Sequence, residues 1–148
     1  MTESVEALEA RVRRLEDLMA IHQLFIDYGE HLDAGDFEAY GALFADDGEV
    51  LLGPMGRAKG PKAITELMTG ILTGEVGKTY HVISSPRVTL AGDTASSTVM
   101  WTVIARNPDE TPLLTMVGHH VDTLVRVDGR WLFQRRKGVV HIPNVLAK

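Results

Sequence analysis

Beyond Gly77 the chain reads as four consecutive strands, and this constrains the fold more than any other feature. Lys78–Leu90, Ala95–Ala105, Leu113–Val127 and Arg130–Gly138 are rich in Val, Thr, Ile and Tyr, residues that suit a pleated, half-buried surface. They are separated by Ala91-Gly92-Asp93, by Asn107–Pro112 and by Asp128-Gly129, the last a two-residue hairpin signal. Consecutive hairpins make an antiparallel sheet, and such a sheet must bury one face. The helical segments that precede it are the only cover the chain offers, so the class is α+β.

Val5, Leu8, Val12, Leu15 and Met19 recur at alternating steps of three and four, which predicts a long first helix. Farther on the apolar stripe moves to Ile21, Leu24, Phe25 and Tyr28, so this helix has two surfaces to cover. Residues 1–19 are read as a helical extension. It either packs on its own domain or forms a short coiled-coil-like contact with another subunit. Asp33-Ala-Gly-Asp36 ends the helix, with Gly35 suited to its C-terminus and Asp36 to capping the next. Phe37, Tyr40, Leu43 and Phe44 give a short second helix its buried face. Asp46-Asp47-Gly48 closes it, and Glu49–Gly53 is β-like. Gly60-Pro61 opens a third helix, with Ala63, Ile64, Leu67, Met68, Ile71 and Leu72 as its apolar stripe. With no internal repeat or linker, residues 1–148 form one domain, of which 139–148 are read as a tail.

Composition narrows the function. Fifteen Lys and Arg against twenty Asp and Glu leave a net charge of −5, which disfavours nucleic acid as a partner. No apolar run approaches a membrane span, and no signal-peptide pattern opens the sequence, so a cytoplasmic location is expected. The chain has no cysteine, which removes disulfides, thiolate metal ligands and thiol nucleophiles. No Gly-rich phosphate loop follows a strand, and no His/Asp/Glu set has metal-ligand spacing. Neither cofactor nor metal is therefore expected.

Four stretches carry a family resemblance: AIHQLFIDYGEHLDAGDFEAYGALFADDGEV (20–50), GRAKGPKAI (56–64), TYHVISSPRVTL (79–90) and GHHVDTLVRVDGRWLF (118–133). The chain resembles the SnoaL-like branch of the nuclear-transport-factor-2-like superfamily. The resemblance implies a cone, in which a curved antiparallel sheet and about three N-terminal helices enclose an apolar pocket. Within the branch it is similar to bile-acid 7-alpha-dehydratase, hexachlorocyclohexane dehydrochlorinase and scytalone dehydratase. These imply an Asp–His catalytic pair, and the matching positions are Asp33 in HLDAGD and His81 in TYHV. Tyr28 matches a functional tyrosine of the first of these families. Arg136 matches an arginine of the second, placed through Trp131 and Phe133. Where the branch commonly has Tyr-x-Asp, this chain has His120-Val-Asp122.

A carboxylate bonded to one imidazole nitrogen fixes the tautomer and leaves the other nitrogen to accept a proton. His81 is thus the expected base, Asp33 its orienting partner, and Tyr28 or His120 a donor to a departing hydroxyl or a charged carbonyl oxygen. Strand alternation sets Gly118, His120 and Asp122 on one face and His119, Val121 and Thr123 on the other. The resemblance selects His120 for the pocket. Leu24, Tyr40, Leu52, Leu67, Ile71, Trp101 and Met116 are candidate walls, and Arg136 a candidate anion contact. The expected activity is that of a cofactor-independent lyase of dehydratase or dehydrohalogenase type, acting on a hydrophobic ring compound (steroid, terpenoid, polyketide or aromatic). An isomerase, a polyketide cyclase or a non-catalytic binding module are the alternatives. A homo-oligomer, dimer or trimer, is expected, because a curved sheet and the Val5–Met19 stripe both leave apolar surface to cover.

Overall fold

The computed structural model describes residues 2–143. Helix α1 runs unbroken from Val5 to Ala34. The Ser4 side chain caps its start by accepting from the Ala7 N–H at 3.1 Å. At the other end Gly35 turns left-handed (φ 75°), and the Gly35 and Asp36 N–H groups donate to the carbonyls of Leu32 and His31. Asp36 then caps helix α2, Phe37–Gly41, by accepting from the Ala39 N–H.

The second helix is shorter than its apolar spacing suggests. Phe44 already opens strand β1, Phe44–Leu51, so Asp46-Asp47-Gly48 lies inside a strand and does not close a helix. The sheet decides this: Phe44 pairs with Phe133, and the register shifts before Glu49. Gly48 sits in that irregularity, where a side chain would press on the backbone carbonyls of Phe133 and Ala45. Strand β2, Arg57–Lys59, and helix α3, Pro61–Leu72, follow, and Ile64 and Met68 of α3 are buried.

The long strands are β3 (Thr79–Ala91), β4 (Thr94–Arg106), β5 (Pro112–Val127) and β6 (Arg130–Ile142). They form an antiparallel meander, and β1 joins it by a parallel pairing to β6, giving the order β2-β1-β6-β5-β4-β3. Register shifts at Ser84/Arg87, Val103/Ile104, Val117/Gly118 and Thr123/Leu124 bend the sheet around the helices. Residues 139–142, read as the start of a tail, are the last residues of β6. The rest of that segment beyond Pro143 lies outside the described residues.

The core forms where α1 and α3 cross the concave face, and it includes Phe25, Tyr28, Tyr40, Phe44, Trp131 and Phe133. Helix α1 approaches β3 closely at Gly29, where an added Cβ would lie 3.1 Å from Ile83. Asp17 ties the helix to the β5–β6 hairpin by accepting from Arg126 and from the Trp131 indole N–H. Gly118 permits a second close approach, since a Cβ there would overlap the Val139 carbonyl and the Trp101 ring. Gly118→Ala is therefore expected to destabilise the domain by roughly 1–3 kcal/mol through overpacking. A urea midpoint equal to or above that of the wild type would show that Trp101 and β6 give way freely.

Candidate active site

Strand β3 is an edge strand, so one row of its backbone N–H groups has no neighbouring strand. Asp33, in the last turn of α1, meets this edge at His81. Its carboxylate accepts from the His81 backbone N–H at 3.0 and 3.2 Å, and its Oδ1 lies 2.8 Å from His81 Nδ1. A carboxylate only accepts, so in neutral His81 the proton sits on Nδ1, and Nε2 is left as the acceptor. The pair is sheltered but not sealed, with the His81 side chain 12% and the Asp33 side chain 23% exposed. A carboxylate at a helix C-terminus opposes the helix dipole, so the bonds to His81 hold it against an unfavourable field.

His81 lines a cavity of about 90 Å³ that opens to solvent between α1, α3 and the concave face of the sheet. Of the candidate walls, Tyr40, Leu52, Ile71, Trp101 and Met116 line it, whereas Leu24 and Leu67 do not. Leu24 is one of the core residues of α1. Leu32, Met55, Met68, Leu72, Val103, Gly138 and Val140 line it as well and were not among the candidate walls. Inward alternation along β4 from Trp101 would have found Val103, and the α3 stripe already contained Met68. Gly138 leaves the wall open beside His120, since a Cβ there would stand 3.7 Å from the His120 ring. Among the described residues, no Lys, Arg, Asp or Glu lines this cavity.

Tyr28 and His120 also line it, with their rings edge to face at 5.4 Å, and the Tyr28 ring lies 6.2 Å from that of His81. His119 points to the other face and stacks on His141, 4.8 Å away. Burial pushes the Tyr28 phenol well above its ordinary range, against the pull of Arg136, and raises Tyr40 to about 12. Both hydroxyls therefore stay protonated and can donate hydrogen bonds. His120 is held well below the usual imidazole range, first by burial, then by the charges of Arg136, His81 and His119. It is a neutral ring whose Nδ1 has no protein partner.

Because the fold keeps His120 neutral while the unfolded chain titrates near 6.5, its contribution to stability is present above that pH. It is lost progressively as the pH falls below 6.5. His120→Gln should make denaturation midpoints less steep between pH 6.5 and 5, by up to one proton's worth of linkage. An unchanged slope would show that His120 charges freely in the fold.

Arg136 does not reach the cavity wall. It is fully buried beneath it, and its Nε donates to Asp122 Oδ1 at 2.8 Å. The guanidinium lies 4.2 Å from the Tyr28 ring centre and 4.1 Å from that of Phe133. Asp122 also accepts from the Ser97 hydroxyl at 3.2 Å. Arg136 thus braces the residues that face the cavity, and an anionic ligand in the cavity would have no direct cationic contact. No group of three or more His, Asp or Glu side chains is arranged to hold a metal ion among the described residues, nor is any helix there long and apolar enough to cross a membrane.

Helices packed on the concave face of a curved antiparallel sheet, with an apolar cavity between them, make the nuclear-transport-factor-2-like, cystatin-like architecture. The chain belongs to the SnoaL-like domain family within it, whose pattern matches residues 13–137. Among solved structures it is similar to an NTF2-like protein with a cystatin-like fold from Novosphingobium aromaticivorans, at 29% identity and a TM-score of 0.90. That match covers 99% of this chain and 96% of the other. A second protein from N. aromaticivorans, described as a candidate scytalone dehydratase, is 30% identical over 87% of each chain, with a TM-score of 0.73. LinA shares the fold at 20% identity and a TM-score of 0.79, covering 88% of this chain and 90% of that one. A comparison with curated proteins finds no match.

Proposed function

We propose that this protein is a cofactor-independent lyase that eliminates water or a halide acid from an uncharged hydrophobic ring compound. The observation that carries the reading is the Asp33–His81 pair, with its second imidazole nitrogen left for a cavity lined mainly by apolar side chains. His81 Nε2 removes a proton from the carbon next to the leaving group. The C–H electrons form the new double bond, and the C–O or C–halogen bond breaks. Asp33 balances the imidazolium that results.

Tyr28 and His120 enter as neutral hydrogen-bond donors. The Tyr28 proton is held too tightly for ready transfer, and His120 in its neutral form keeps a single ring N–H, so both suit a carbonyl oxygen that gains charge as the carbon proton leaves. A departing hydroxyl then takes its proton from the His81 imidazolium, and the base is regenerated with the release of water. The absence of charged side chains from the wall among the described residues favours a neutral ligand. A volume of about 90 Å³ favours one that inserts a single ring and leaves the remainder at the mouth. The relative described as a candidate scytalone dehydratase supports the same reaction class.

The test is a panel of β-hydroxy and β-halo carbonyl ring compounds incubated with wild type and His81→Ala, with products weighed by mass spectrometry. Loss of water or halide acid with the wild type alone is the expected result. A product of unchanged mass would assign the same base to an isomerase. Tight binding without turnover, equal in both proteins, would assign the cavity to a binding module.

A further inference from the structure

The first twelve residues of α1 are exposed all round, from Val5 to Glu16, before Asp17 anchors the helix to the domain. At 1.5 Å per residue this is an arm of roughly 18 Å standing in solvent. A helix of that length is marginal in water on its own. Its large apolar residues are confined to one seam. Val5, Leu8, Val12, Leu15 and Met19, continued by Ile26, are each between 46% and 73% exposed. The opposite face of the same helix, through Ile21, Leu24, Phe25 and Tyr28, is buried against the domain. The exposed seam therefore has no role in this chain's own core.

We infer that the arm pairs with the arm of a second copy as a parallel two-stranded coiled coil over residues 5–19. The seam falls on the heptad positions a (Val5, Val12, Met19) and d (Leu8, Leu15). A β-branched residue at a with leucine at d favours two strands. The flanking charges choose the direction. Glu9 and Glu16 occupy e positions and Arg11 a g position. In a parallel pair, g faces the partner's e position five residues on, so Arg11 meets the partner's Glu16 twice by symmetry. An antiparallel pair would set glutamate against glutamate and Arg11 against its own copy. Arg11 now holds Glu3 at 2.6 Å in an exposed pair, which it can exchange at little cost.

Sedimentation equilibrium of the full chain over a range of concentrations tests this. Wild type is expected to be a dimer. Leu15→Glu should raise the dimer dissociation constant about 100-fold or more, since a dimer buries this leucine twice. Arg11→Glu and Glu16→Arg should each weaken the dimer several-fold, and the doubly swapped chain should recover it. Thermal unfolding followed by circular dichroism on each variant keeps loss of folding distinct from loss of pairing. A monomer at every concentration, a trimer, or a dimer unaffected by Leu15→Glu would overturn the inference. A double swap that fails to restore the dimer would overturn the parallel arrangement.

Discussion

Replacing His81 with alanine is expected to lower kcat/KM by about 10²–10⁴-fold, the usual worth of a positioned proton-transfer group. The fold should survive, because the Asp33 carboxylate keeps its two contacts with the residue-81 backbone N–H at 3.0 and 3.2 Å. Asp33→Ala should act differently. It removes the tautomer constraint and the charge balance, and it also uncaps an edge-strand donor. Activity and stability are both expected to fall, the second by about 1–3 kcal/mol if the donor stays shielded from water. Enzyme assays alongside urea denaturation separate the two effects. If His81→Ala turned over substrate at the wild-type rate, the pair would be no more than a clasp between α1 and β3.

The second large effect is structural. Arg136→Met should cost about 3–5 kcal/mol, because it leaves the Asp122 carboxylate buried without its partner. For a domain of this size that lowers Tm on the order of 10 °C. Removing both charges should be far milder. Arg136→Met with Asp122→Leu replaces the pair by apolar volume, and such replacements are often neutral for stability. Activity need not return with stability, because the guanidinium lies against the Tyr28 ring and lowers the proton affinity of His120. Calorimetry of the single and double variants is the check. A double variant no more stable than Arg136→Met would mean that packing, and not charge, holds this region together.

The strands and the third helix were legible in the sequence because their periodicity coincides with what the fold buries, and the first helix was legible from two stripes, of which Ile21, Leu24, Phe25 and Tyr28 are buried and Val5–Met19 is exposed. Alternation along β4 turns Ala95, Ser97, Val99, Trp101 and Val103 inward, as the strand pattern suggests. The second helix was less legible. Helical spacing continues through Leu43 and Phe44, but pairing of Phe44 with Phe133 across more than eighty positions takes precedence, and no local pattern reports it.

Arg136 shows the same limit. Alternation from Trp131 and Phe133 would turn Arg135 inward, yet the register shift opposite Thr123 and Leu124 reverses the parity and buries Arg136. Family resemblance pointed to Arg136 as an anion contact, whereas in the structure it lies buried beneath Tyr28 and does not line the cavity. Asp33 and His81 stand 48 positions apart, and no spacing rule joins them. Their meeting depends on the close crossing of α1 over β3 at Gly29 and on an edge strand with a donor to spare.

The proposed elimination requires His81 to present a bare Nε2 to the cavity. Nitrogen-15 NMR of the imidazoles above neutral pH, with His81 assigned by His81→Gln, reads this directly. The expected spectrum has His81 protonated at Nδ1 in the wild type, with that preference lost in Asp33→Ala. A wild-type His81 protonated at Nε2 would leave no base facing the substrate and would contradict the proposed chemistry.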